Sequence, residues 1–222
     1  MGLDTVLEWL FPAKCPFCQT VIGKPGVCQA CRDKLPLAEG TDGLREGAGF
    51  GRCAFPLYYE GSVRDSLLNF KFGGKASWAE VYADFLVPCA AEQLSGEFDC
   101  ITWVPVSAKR LRRRGYDQAK LLAQAMGRRW DTVPLPLLKK VRDNPAQSNQ
   151  TDAAARRANV LGVYEASPQA AGRRILLVDD ILTTGSTLGE CARVLQEAGA
   201  ASVVCVTLAG SRPDRQKPDK TP

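Results

Sequence analysis

The 222-residue chain contains no histidine. That removes the side chain most used for proton transfer near neutrality and rules out zinc sites of the mixed cysteine and histidine kind. Any acid or base work must fall to carboxylates, lysines, tyrosines or cysteines. No apolar run approaches the roughly 18 residues of a membrane span, and the first residues lack the basic flank and small-residue cleavage site of a secretory leader. A cytoplasmic protein is therefore expected. Charge of one sign is scarce: 29 Lys and Arg against 24 Asp and Glu leave a net +5. This favours anionic ligands without by itself marking a nucleic-acid binder. A hydrophobic content of 45% is enough to bury one full domain with a small module beside it. The nine cysteines are an odd number, and in a reducing compartment they point to metal binding and packing before disulfides.

One stretch organises the rest. Ile175 to Val178 are large or branched aliphatics and read as a strand buried on both faces, which ends at Asp179 and Asp180. Thr183-Thr-Gly-Ser-Thr187 follows. Beyond it Leu188, Cys191, Ala192 and Leu195 share one face of a helix closed by Gly199, and Ala201 to Leu208 reads as the next strand. This is a βαβ unit, and ligands of open α/β sheets bind at the carboxyl ends of its strands. At a helix start, backbone N–H groups and the hydroxyls of Thr183, Thr184, Ser186 and Thr187 can donate to a phosphate, and Gly185 lets it come close. The two acids would repel that phosphate, so they must face something else, such as vicinal ribose hydroxyls or a divalent cation. A ribose 5-phosphate unit satisfies both halves. The bland alternative is an N-cap with two incidental acids.

Elsewhere, Leu3 to Phe11 has the spacing of a short amphipathic helix stopped by Pro12, which packs on the domain behind it more readily than it would lie on a membrane, its polar face being acidic. Cys15-Pro-Phe-Cys18 and Cys28-Gln-Ala-Cys31 are two CxxC pairs able to close a four-thiolate structural zinc site; a redox CxxC is the competing reading. Cys53 stands alone and could be core, an extra ligand or a remnant of a second site. Thr41 to Gly51 is glycine-rich and reads as a linker or exposed loop. Ala54 to Tyr59 is expected as a strand, Gly61 to Lys75 and Trp78 to Leu94 as helices, and Ile101 to Val104 as a short buried strand. Pro105 to Ala119 reads as a loop holding Lys109, Arg110, Arg112, Arg113 and Arg114 before a helix to about Trp130. Those cations could be a solvated face, an anion dock, or a grip on a nucleic-acid backbone. Arg142 to Asn159 reads as a long lid-like loop with a brief helix from Thr151, Val160 to Tyr164 as a strand, and Ser211 to Pro222 as a disordered tail.

The run Val178-Asp-Asp-Ile-Leu-Thr-Thr-Gly-Ser-Thr187 closely resembles the phosphoribosyl diphosphate (PRPP) motif of type I phosphoribosyltransferases. With the four-cysteine module, Lys71, Arg114-Gly-Tyr-Asp-Gln118 and Arg157-Ala-Asn159, the chain to about residue 209 resembles the ComF family, competence proteins with a phosphoribosyltransferase-like domain. The resemblance implies an α/β, type I phosphoribosyltransferase-like core with a mainly parallel sheet over residues 51–209, a zinc ribbon within 1–50 and a tail from 210 to 222. It implies that Asp179 and Asp180 bind the ribose hydroxyls and Thr183, Thr184, Gly185, Ser186 and Thr187 the 5-phosphate. A diphosphate loop is implied at Ser107, Ala108, Lys109 and Arg110, a catalytic loop near Asn144 to Arg157, and magnesium with the PRPP. The family commonly has Arg-Gly-Phe-Asn-Gln where this chain has Arg-Gly-Tyr-Asp-Gln, which would set Asp117 near the diphosphate. A role in DNA uptake follows, with single-stranded DNA and uptake machinery as partners. The residues leave open whether the ligand is turned over, which acceptor would receive the ribose, and whether the chain instead serves as a DNA-binding module.

Overall fold

The computed structural model describes residues 12–47, 49–142 and 161–212. The expected N-terminal helix, the lid-like loop with Arg157-Ala-Asn159, and the tail beyond 212 lie outside the described residues. At the centre is β7 (Arg174–Leu182), all of whose residues from Ile175 to Val178 are buried. It pairs in parallel with β8 (Ser202–Gly210) on one side and β4 (Cys100–Trp103) on the other. Such runs of Val, Leu and Ile suit a strand with no solvent-facing side. β8 continues in parallel to β2 (Phe50–Ala54) and to the two-residue β3 (Leu57–Tyr58). β1 (Leu44–Gly47) closes the edge antiparallel to β2. Past a 3-10 turn at Gly40–Gly43, the glycine-rich stretch is thus a hairpin of the main sheet and no linker. Gly49, at φ 92° and with no room for a Cβ against the Gly189 carbonyl, turns that hairpin.

Strand alternation splits the core in two. Ile101, Leu176, Val178, Val204 and Val206 face α2 (Gly61–Phe72), α3 (Trp78–Gln93) and α5 (Gln118–Arg129). Ile175, Leu177, Val203 and Cys205 face α6 (Ser186–Glu197) and a two-stranded antiparallel ribbon of β5 (Leu138–Lys140) and β6 (Tyr164–Ala166). Cys53 lies in this second layer, fully buried and in register with Cys205, so the core reading of that cysteine holds. The expected helix faces are present: Leu188, Cys191, Ala192 and Leu195 are all buried.

Two expectations are corrected. β7 does not stop at the acids but runs on to Leu182, because β8 keeps pairing as far as Gly210 opposite Leu182. Part of the basic loop after β4 is helical, α4 (Ala108–Arg114), started by the Ser107 hydroxyl accepting the Arg110 N–H and ended by Gly115 at φ 82°.

The cysteine module packs on α3. Its first knuckle is closed by the Gln19 N–H donating to the Cys15 carbonyl, and its second by α1 (Gln29–Arg32), a single turn begun at Cys28. Phe17, between the first two cysteines, is buried against Tyr82 and Phe85 with ring centroids 6.3 and 6.1 Å away. No helix among the described residues is long and apolar enough to cross a membrane.

Candidate functional site

The four cysteines of the two CxxC pairs come together: Cys15, Cys18, Cys28 and Cys31 place all sulfurs within 4.8 Å of one another, with Cys18 and Cys28 at 3.5 Å. Four thiolates at a zinc–sulfur length of about 2.3 Å lie about 3.8 Å apart at the corners of a tetrahedron, so the donor set fits zinc with no open position. The hydrogen bond with the Thr20 hydroxyl draws the Cys18 thiol down to about 6, whereas burial pushes the Cys31 thiol up. Among the described residues no other cysteine or carboxylate cluster has a metal-binding shape.

The second site sits where β7 ends. Because successive residues of a strand point to opposite faces, Asp179 goes to the α6 side and Asp180 to the α2 side. Both line one cleft of about 460 Å³. Asp180 is buried and paired with Lys71 at 2.9 Å, near the end of α2. Asp179 is half-buried, and its carboxylate accepts the Asp180 N–H at 2.8 Å. Burial, with the Asp180 charge beside it, pushes the Asp179 carboxyl up to about 8.

Past Leu182, Thr183 and Thr184 are exposed and Gly185 takes φ 72°, ψ 0°, the left-handed conformation that aims the chain into α6. A Cβ there would stand 3.3 Å from the Phe50 ring, which backs the turn from the β2 side. No side chain of the N-cap residue caps α6. Thr184 turns its hydroxyl onto the Ser186 hydroxyl at 2.9 Å. Asp179, Ile181 and residues 182–188 thereby enclose a cup of about 30 Å³, and Asp179, Thr183 and Thr187 belong to both cup and cleft. The ring of hydroxyls and first-turn N–H groups offers donors of the kind an anion accepts.

The basic run divides. Arg110 and Arg114, one helical turn apart on α4, line the cleft, whereas Ala108, Lys109, Arg112 and Arg113 point to solvent and Ser107 is buried in its capping role. Of the four residues expected as a diphosphate loop, Arg110 alone lines the cleft. Asp117 is turned away from it: its carboxylate accepts the N–H groups of Val106 at 3.0 Å and Lys120 at 3.1 Å, capping α5. Burial raises its pKa, and it adds no acid to the cleft lining. Sequence reading missed Tyr59, Lys140 and Tyr164, which complete the walls. Lys140 and Tyr164 come from β5 and β6, whose pairing no local pattern announces; their contact, Lys140 Nζ to the Tyr164 hydroxyl at 3.3 Å, exists only after both strands dock.

Residues 111–222 match the phosphoribosyl transferase domain family, and residues 6–41 match the double zinc ribbon domain. Competence protein ComFC of Streptococcus pneumoniae is 29% identical over 92% of this chain and 84% of its own. ComFC of Bacillus subtilis is 27% identical over 87% and 76% respectively. The DNA utilization protein YhgH of Escherichia coli O6:H1 is 34% identical, over half of each chain.

The raised Asp179 pKa fixes a pH dependence. A folded value near 8 above an unfolded value of about 3.9 means the folded chain holds that proton longer, so stability is full below about pH 4 and declines as pH rises toward 8. Thermal melts in ligand-free, magnesium-free buffer should therefore show Asp179→Asn gaining on the wild type progressively between pH 5 and pH 8. Parallel curves over that range would remove the assignment.

Proposed function

We propose, from the premise that the chain belongs to the phosphoribosyl transferase domain family and, by its zinc ribbon and its ComFC and YhgH relatives, to the ComF proteins, that it binds PRPP in the cleft and acts in the handling of incoming DNA. The observation that carries the ligand reading is the hydroxyl-lined cup opening beside Asp179 and Asp180 into one cleft. The cup receives the 5-phosphate through the first-turn N–H groups of α6 and the hydroxyls of Thr183, Thr184, Ser186 and Thr187. Carboxyl oxygens accept hydroxyl hydrogens, so Asp179 and Asp180 suit ribose hydroxyls, and the phosphate falls to the donors of the cup. Asp180 must then exchange part of its contact with Lys71 for the sugar.

The two acids leave β7 on opposite faces, and the described residues form no carboxylate cage for magnesium. Magnesium nonetheless fits as a companion of the ligand, held by phosphate oxygens and one carboxylate of Asp179 or Asp180, where it would offset diphosphate charge. Arg110 and Arg114 supply fixed positive charge in the same cleft. The walls from β5 and β6, carrying Lys140 and Tyr164, are where an acceptor would stand if the ribose is transferred. The role in DNA handling rests on the printed names of the relatives, competence protein and DNA utilization protein.

A second reading, direct contact with single-stranded DNA, is favoured by one surface. Lys109, Arg112 and Arg113 are exposed on α4, and the Arg113 guanidinium lies 5.8 Å from the ring centroid of Phe72, a residue 59% exposed.

Isothermal titration with PRPP and magnesium tests the first reading. Thr187→Val keeps the side-chain shape and deletes one phosphate donor, and hydrogen bonds to charged groups are worth about 1.5–3 kcal/mol, so affinity should fall at least about tenfold. No binding by the wild type, or equal binding by the variant, would sink it. For the second, the salt dependence of single-stranded DNA binding should flatten by roughly one to two in slope when Arg112 and Arg113 are both changed to Ala; an unchanged slope counts against a DNA surface on α4.

A further inference from the structure

A groove of about 330 Å³ lies apart from the cleft and shares no lining residue with it. Three parts of the chain meet there: the crossing from the cysteine module into the sheet, Pro56 between β2 and β3, and one face of α3. Its floor is apolar and open to solvent, with Leu37 47% exposed beside Pro56, Phe85 and Pro88. The floor is also firmly held. Phe85 stands edge-on to Phe17 of the first cysteine knuckle at 6.1 Å, and Gln93 Nε2 donates to the Gly40 carbonyl at 3.2 Å, tying one wall to the other. Asp84, Pro88 and Glu92 recur every fourth residue of α3 and are all exposed, so they share one stripe of the helix along the groove.

The charge of this groove runs against that of the chain. Glu39, Asp84 and Glu92 line it and no lysine or arginine does, although the chain as a whole carries a net +5. The Asp84 carboxylate is met by Arg129 at 2.7 Å, whereas Glu39 and Glu92 make no ion pair among the described residues. Pro88 has no N–H, which leaves the Asp84 carbonyl without its regular helix donor and adds an acceptor to the same stripe. An apolar floor between unpaired acids suits a lysine or arginine stem, which lies along apolar surface while its head reaches a carboxylate. It repels a nucleic-acid backbone. We infer that this groove is a docking site for a basic segment of a partner protein, which sets an aliphatic side chain on the floor and lysines or arginines against Glu39 and Glu92. Complementary charge of this kind selects the partner and speeds its encounter, and the buried aliphatic anchor holds it.

The experiment is fluorescence anisotropy of a labelled synthetic peptide, two leucines and a proline flanked on each side by two lysines, titrated with the full chain. Saturable binding with a Kd of about 1 mM or tighter is expected. Peptides with glutamate for every lysine, or serine for every leucine, should bind at least about tenfold more weakly. Glu39→Gln and Glu92→Gln, both at exposed side chains, should each weaken the lysine and leucine peptide about threefold and together about tenfold. Asp65→Asn, which removes an exposed acid of α2 outside the groove, should leave it unchanged. That pattern supports the inference. Absence of saturable binding, equal binding of the serine peptide, or equal losses in Asp65→Asn and the groove variants overturns it. Two further results reassign the groove and overturn the partner as its occupant. One is tighter peptide binding when Arg215, Lys217 and Lys220 are all changed to Ser, which gives the groove to the chain's own residues 213–222. The other is a dimer in sedimentation that dissociates on the Glu39→Gln and Glu92→Gln double change, which gives it to a second copy.

Discussion

Everything at the cleft depends on β7 being sealed on four sides. Parallel neighbours satisfy its backbone on both edges, and two separate apolar layers cover its two faces. A strand so enclosed meets solvent at its ends, and toward the carboxyl end the chain places two acids in succession. The alternation of strand side chains then sends one acid to each layer, where different surroundings act on them. Asp180 meets Lys71 and is held as part of an ion pair, whereas Asp179 is left with a neighbouring negative charge and a raised pKa. Two identical side chains in adjacent positions thus acquire different surroundings from the architecture alone.

The cationic wall of the cleft depends on the other end of the chain. Phe17 of the first cysteine knuckle packs on Tyr82; Tyr82 meets Phe70 edge-on at 5.1 Å and exchanges a hydrogen bond with Ser66; Phe70 lies 6.0 Å from Tyr116 and accepts its hydroxyl hydrogen at the backbone. Lys71 follows Phe70 directly, and Tyr116 lies midway between Arg114 and Gln118. The aromatic stack is thus the physical support of the residues that face Asp180, and it reaches back to the metal knuckle. A four-thiolate site with no open ligand position suits that role, since it can fix backbone geometry without taking part in chemistry.

Much of this was legible in the residues. The aliphatic run before Asp179 and the periodic helix after the hydroxyl-rich turn named the βαβ unit, and both CxxC pairs converge as their spacing requires. What escaped was whatever depends on contacts distant in sequence. Glycines between Thr41 and Gly51 looked like a linker because glycine weakens strands, but the edge hairpin uses them where Phe50 and α6 approach its backbone too closely for a side chain. Five clustered cations looked like one anion loop; a helical twist gave two of them to the cleft and three to solvent. Asp117 looked like a charge conflict with the diphosphate, yet as a cap it turns inward to two N–H groups. Lys140 and Tyr164 belong to short strands that carry no periodic signal and are placed by each other.

The central claim is that the cup at the end of β7 receives the 5-phosphate of a ribose whose hydroxyls face Asp179 and Asp180. A crystal structure of the full chain soaked with PRPP and magnesium tests it most directly. The account predicts phosphate density against Thr183 to Thr187 and ribose hydroxyls on the carboxyl groups of Asp179 and Asp180. A ligand bound elsewhere, or seated in the cleft with its 5-phosphate outside the cup, would contradict it.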